Sequence, residues 1–211
     1  MRFWTLGLKA AFFVAILGGP VAPASARFAA DTPPPAAMRL ARQVLASADH
    51  GGLPFAVVDK KAAMLMIFRG DGQLVGTTPV LLGQTAGDRA MPGVGARTQS
   101  GQLRMADRVT TAGRFGSEPG HNRAGEAVVW IDYESALAIH RLRPGLSQHD
   151  RALRLASADP QARRVSAGCV VVPVAFYDAV VAPVLGRSRG VVYVMAEDIG
   201  PPVRPLTARA S

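Results

Sequence analysis

The chain has 211 residues, with 24 lysines and arginines against 15 aspartates and glutamates, a formal charge of +9 and a single cysteine. One cysteine excludes an intrachain disulfide framework, and with four histidines scattered along the chain it makes no zinc-ligand set, so neither metal nor other cofactor is expected. The basic balance points to an acidic partner such as an envelope polymer, a lipid headgroup or a carboxylate-bearing substrate, whereas dispersed arginines and scarce aromatics argue against nucleic acid.

Arg2 and Lys9 flank the start of an apolar run over residues 10–19 that is too short to span a bilayer comfortably, and Ala24-Ser25-Ala26 supplies an A-x-A pattern. Residues 1–26 are therefore expected to be a secretory signal, which places the protein in the periplasm or cell envelope. The charge is then near +7, because Arg2 and Lys9 leave with the signal, and no later segment is long and apolar enough to span a membrane. Residues 27–52 read as a spacer ("DTPPPAA") and a helix over 38–48, with Met38, Leu40, Val44, Leu45 and Ala48 near one face. His50-Gly51-Gly52 ends that helix.

Residues 53–198 are expected to form one domain, mostly β with a few helices, of α+β class. Apolar runs at 55–59, 62–68 and 74–82 predict three antiparallel strands, with Lys60-Lys61 and "GDG" as turns. The glycine-rich stretch 83–101 predicts a long loop, placed beside the site as a lid. Residues 127–133 and 136–142 predict a hairpin through Glu134-Ser135, and 147–156 a short helix in an insertion. Pro173 opens a helix to Leu185, 191–195 is a last strand, and 199–211 is a flexible tail.

The cysteine sits in "RRVSAGCVVVP", residues 163–173. Gly168 lets the backbone turn closely before Cys169, Arg163 and Arg164 add positive potential, and the helix from Pro173 turns its positive end back toward the sulfur. These features suit a nucleophile, but "CVVV" also reads as a buried strand, where a free thiol is inert. Among the histidines, His140 in "ALAIHRL" lies on a strand that would fix its ring, as a general base requires. It also reads as a half-buried histidine bonded to a carbonyl. His50, His121 and His149 read as surface residues.

Ile139-His140 followed by "VSAGCV" (165–170) resembles the L,D-transpeptidase catalytic domain family (YkuD-like), which carries I-H-G and then S-x-G-C. "TTAGRF" (110–115) is the counterpart of that family's T-P-x-G-x-F segment, and the resemblance covers about residues 55–196. Four departures stand out. Arg141 follows the histidine, residues 143–161 form an insertion, Val171 replaces an Arg or Asn, and Thr111 replaces the proline.

The resemblance implies an L,D-transpeptidase-like β-sandwich that acts on peptidoglycan stem peptides. Cys169 would be the nucleophile, His140 the base, and the carbonyl of Arg141 the group that orients the imidazole. Backbone amides of Gly168 and Cys169 would face the oxyanion, and Ser166 would brace the turn. Arg143, Arg163, Arg164 and the side chain of Arg141 would meet substrate carboxylates. Two alternatives stay open: a hydrolase on the same scaffold, and a non-catalytic wall-binding module, favoured by Val171 and the insertion.

Overall fold

In the computed structural model, the described residues are 32–145 and 147–197; the expected signal and tail lie outside them. The β-branched and aromatic runs form a meander of β1 (Phe55–Asp59), β2 (Met64–Phe68) and β3 (Leu74–Pro79), antiparallel in register. After β4 (Leu82–Gly83) come β5 (Gly113–His121), β6 (Ala127–Asp132) and β7 (Leu137–Arg141), then the short β8 (Arg164–Ser166) and β9 (Val170–Val172), and last β10 (Gly190–Val194). The large sheet runs β3-β2-β1-β10-β5-β6-β7-β9, with β1–β10 and β7–β9 parallel, and β4 pairs separately with β8.

The sheet curls. Leu81, just past edge strand β3, exchanges two 2.9 Å backbone bonds with Val171 on the opposite edge strand, β9. The enclosed core joins Val58, Leu65 and Ile67 to Val129, Ile139, Val170 and Val172, and to Phe176, Val180 and Leu185 of a long helix. That helix consists of Val174–Phe176, a π-helical stretch Tyr177–Val181, and Ala182–Val184. The α+β, mostly β class read from the sequence is what the structure shows, with the layers of the expected sandwich drawn from one curled sheet.

Helix α1 (Pro35–Ser47) starts with proline in its first turn and ends where Ala48 takes left-handed backbone, φ 51°. Its buried face, Ala37, Ala41 and Val44, packs on the outer side of the sheet against Phe55, Val57, Met66, Phe68 and Tyr193. The helix thus covers part of the outer sheet face. A third cluster, Leu81, Leu142, Leu155 and Val171, lies under α3 (Gln148–Ala156). Among the described residues no helix is long and apolar enough to cross a membrane.

Three local features were not expected. The stretch 83–101 contains a helix, α2 (Val94–Ser100), which packs so closely on the turn after β6 that a Cβ at Gly95 would stand 2.2 Å from the Glu134 carbonyl. β5 was not expected, because "GRFGSEPGH" has few apolar side chains; it is held by pairing with β10 and β6. Lys60 lies in the expected turn but is not at the surface. It is 1% exposed, and Nζ donates to the Gly87 carbonyl (2.6 Å), Asp88 Oδ1 (2.5 Å) and the Thr110 carbonyl (2.9 Å).

Candidate active site

Register places the two candidate catalytic side chains. On β7 and β9, Ile139 pairs with Val170, His140 with Val171, and Arg141 with Val172. Ile139, Val170 and Val172 point into the core. Side chains alternate along a strand, so His140 and Val171 face the other side, as does Cys169, one residue ahead of β9. His140 is thus opposite Val171, two residues beyond Cys169, on adjacent strands that lie about 4.8 Å apart.

His140 is 8% exposed, and its Nδ1 is 2.8 Å from the Arg141 carbonyl. A carbonyl only accepts, so Nδ1 carries the hydrogen and Nε2 keeps its lone pair. Burial pushes the imidazole pKa down to about 4; the Arg141 carbonyl opposes this, Arg143 and Arg151 add to it, and Glu126 opposes it. The ring is neutral at pH 7 and able to accept a proton.

Cys169 is half-buried, and its thiol donates to the Ala136 carbonyl at 3.4 Å. Burial raises its pKa above 9.0, while the Ala138 backbone and the cations of Arg143 and Arg151 pull the other way. At rest the two groups are a thiol and a neutral imidazole rather than an ion pair.

Two hydroxyls brace the turn that presents the sulfur. Gly168 has φ +128°, and a Cβ there would stand 3.0 Å from the Val109 carbonyl, which suits glycine alone. Ser166 Oγ donates to the Cys169 carbonyl (2.7 Å) and accepts the Gly168 amide (3.1 Å). Thr110 Oγ1, buried and drawn from the 110–115 segment, donates to the Gly168 carbonyl (2.7 Å) and accepts the Gly83 amide (2.8 Å). The Gly168 amide, expected to face an oxyanion, donates instead to Ser166 Oγ.

A small cavity beside this turn is lined by Ala90, Val94, Val109, Ala136 and Gly168, so the 83–101 stretch does reach the site. A groove of about 520 Å³ lies over β10, β5 and β6, lined by Trp130, Tyr133, Arg114, Glu118 and Arg189 among others. Trp130 stacks on Tyr133 at 4.4 Å and pairs in register with Ala138. Trp130 and Ala138 are therefore neighbours on one face of the sheet.

No protein-family model matches the chain, and no curated protein matches it in sequence. Similar solved structures include the helical cell shape determining protein Pgp2 from Campylobacter jejuni, at 14% identity and TM-score 0.44, covering 69% of this chain and 48% of that one. The catalytic domain of the E. faecium L,D-transpeptidase matches at 18% identity and TM-score 0.35, covering 67% of this chain and 95% of that one. An L,D-transpeptidase from Xylanimonas cellulosilytica matches at 14% identity and TM-score 0.40, covering 68% and 60%. The chain is similar to L,D-transpeptidases. It spans 48% of the length of Pgp2.

Not every expected site residue reaches this place. Arg163, expected to meet substrate, is buried, and its guanidinium donates to the carbonyls of Ser157 (2.7 and 2.9 Å) and Ala63 (2.9 Å). Arg164 is turned to Glu197 (2.5 Å) and the Lys60 carbonyl (3.4 Å). The Arg141 side chain pairs with Asp178 (3.1 Å) and lies 4.6 Å from the Tyr177 ring centre; only its carbonyl serves His140. Of the four arginines, Arg143 alone acts on the thiol. His121 and His149 are exposed, while His50, read as a surface residue, is buried against the Gly70 carbonyl at 3.0 Å.

Arg151 was missed. It lies on α3 one turn before Leu155, and the i, i+4 spacing of a cation and a leucine in the insertion was the available signal. Val171 acquires a reason as well. It is fully buried, packs with Leu81 and Leu142 and seats Leu155, so the apolar residue two positions after the cysteine is the platform for the inserted helix.

Proposed function

We propose that the protein is an exported cysteine acyltransferase that acts on peptidoglycan stem peptides through a thioester on Cys169. The observation that supports this reading is the parallel pairing of His140 with Val171, two residues after Cys169, with Nδ1 anchored to the Arg141 carbonyl and Nε2 left to take a proton. The S-x-G-C and upstream-histidine resemblance supports the choice of substrate.

In this reading a rotation of the thiol away from the Ala136 carbonyl brings it to Nε2. The thiol proton passes to Nε2 as sulfur bonds to the carbonyl carbon of the third residue of a tetrapeptide donor. The oxyanion that forms meets the Cys169 amide; such a donor contributes about 3–4 kcal/mol to the transition state. Collapse breaks the C–N bond, Nε2 returns the proton to the departing D-alanine amine, and the thioester remains. An acceptor amine, such as the diaminopimelate side chain of a neighbouring stem, then attacks; Nε2 takes its proton and delivers one to the leaving sulfur. The groove beside Trp130 and Tyr133 gives an extended substrate room on the same face.

The test is incubation of purified stem tetrapeptide with the protein and a second D-amino acid, followed by mass spectrometry. Exchange of the terminal residue is expected. A shortened tripeptide without exchange makes the protein a hydrolase, and an unchanged peptide removes the catalytic reading.

A further inference from the structure

The carbonyl that orients His140 belongs to a strand end held from one side. The β6 ladder reaches β7 at Ile139, opposite Val129, whereas the β9 ladder continues through Arg141, opposite Val172. The Leu142 amide, in the same peptide unit as the Arg141 carbonyl, donates to the Val172 carbonyl at 2.8 Å. In a trans peptide N–H and C=O point opposite ways. This bond therefore turns the Arg141 oxygen away from β9 and leaves it to His140 Nδ1, at 2.8 Å.

A second hold comes from the Arg141 side chain. Its guanidinium lies 4.6 Å from the centre of the Tyr177 ring, and Nη1 stands 3.1 Å from Asp178 Oδ1. Tyr177 is buried in the core, so its ring is a fixed surface, while Asp178 is half-exposed. The two residues open the π-helical stretch Tyr177–Val181, a rare geometry that recurs where a helix serves a site. That helix is tied to the end of β9, since the Tyr177 amide donates to the Pro173 carbonyl at 3.0 Å. One guanidinium thus joins the strand of His140 to the helix that follows Cys169 and β9.

We infer that Tyr177 and Asp178 are positioning residues for His140: they grip the Arg141 side chain, fix the direction of the Arg141 carbonyl, and so keep the ring hydrogen on Nδ1 and the lone pair on Nε2. The inference rests on the proposed function, in which Nε2 is the base. It also gives the arginine after the histidine a use of its own. An ion pair this exposed contributes little to stability, so loss of the grip costs orientation before it costs folding.

The test reads the ring directly. Long-range 1H–15N spectra of 15N-labelled protein at pH 7 report which nitrogen of His140 carries hydrogen. They are recorded for the wild type, Arg141→Ala, Asp178→Asn and Arg141→Lys, and for Arg189→Gln, which breaks the exposed pair with Glu118 (2.9 Å) elsewhere on the sheet. The tautomer ratio is expected to shift about tenfold toward Nε2–H in Arg141→Ala, and less in Asp178→Asn. It is expected to stay near wild type in Arg141→Lys, whose ammonium reaches the same ring and carboxylate, and in Arg189→Gln. In the tetrapeptide exchange assay kcat should fall with that ratio, while KM stays within about twofold. A ratio unchanged in both Arg141→Ala and Asp178→Asn overturns the positioning role and leaves His140 as the base. Where Arg141→Ala does not fold, Asp178→Asn alone decides by the same criterion. A shifted ratio together with no exchange by the wild type upholds the grip and removes the proposed function instead.

Discussion

Two clusters of cations differ in how their charge is answered. Lys60, Arg163 and Arg164 are enclosed and matched: Asp88 and Glu197 supply carboxylates, and carbonyls from Ala63, Gly87, Thr110 and Ser157 fill further donor positions. Arg143 pairs with one carboxylate, Glu126, and Arg151 has no ion-pair partner among the described residues; both oppose protonation of the buried His140 ring. The first cluster joins segments distant in sequence. The second is answered only in part. A basic composition therefore reports nothing about function until the partners of each cation are counted.

The largest expected effect breaks the matched cluster. Lys60→Met leaves Asp88 and Glu197 without their buried partner and removes the pin between the 84–112 stretch and the sheet. A loss of about 3–5 kcal/mol in unfolding free energy is expected by denaturant titration. A loss under 1 kcal/mol would show that the cluster does not hold the fold.

The next effect belongs to the unmatched cluster and is read by pH. The folded pKa of His140, about 4, lies below the ordinary 6.5. An unfolded chain therefore takes up a proton first as pH falls. The stability tied to the neutral ring is complete above pH 6.5 and is lost as pH falls toward 4, to a total of about 3 kcal/mol. His140→Gln should flatten that part of the stability profile. In Arg151→Gln the imidazole should titrate at higher pH by NMR, because one of the cations that oppose its protonation is gone; an unmoved titration places Arg151 away from the ring.

Arg163→Gln comes third, at about 2 kcal/mol, through lost bonds to the Ala63 and Ser157 carbonyls. The smallest effect is the sharpest contrast. Arg143→Gln and Arg151→Gln should change stability by less than about 0.5 kcal/mol, measured by the same titration. Equal losses in the two clusters would erase the difference between them.

Much of this was legible in the sequence where the signal is local. "VSAGCV" announces a glycine turn and a serine close enough to bond across it, and "ALAIHRL" announces a strand that orients its histidine. The strands rich in Val, Ile and Phe were equally plain. What stayed hidden depends on distant partners. Lys60 reaches residues 27 to 50 positions away, and Arg163 reaches Ala63 at a separation of 100, so both look like surface cations in a short window. β5 has too few apolar side chains to show a period of two and exists because β10 and β6 flank it. Val171 and the 143–161 insertion, each a departure when taken alone, fit each other once Leu155 is seen to rest on Val171.

The most direct measurement traps the intermediate. The protein is mixed with a stem tetrapeptide ending in D-alanine, quenched in acid within seconds, and weighed intact. The expected species is heavier by the acyl tripeptide, with the added mass on Cys169, and it accumulates far more slowly in His140→Gln. Exchange product that forms at the wild-type rate in Cys169→Ala would contradict a thioester on this sulfur.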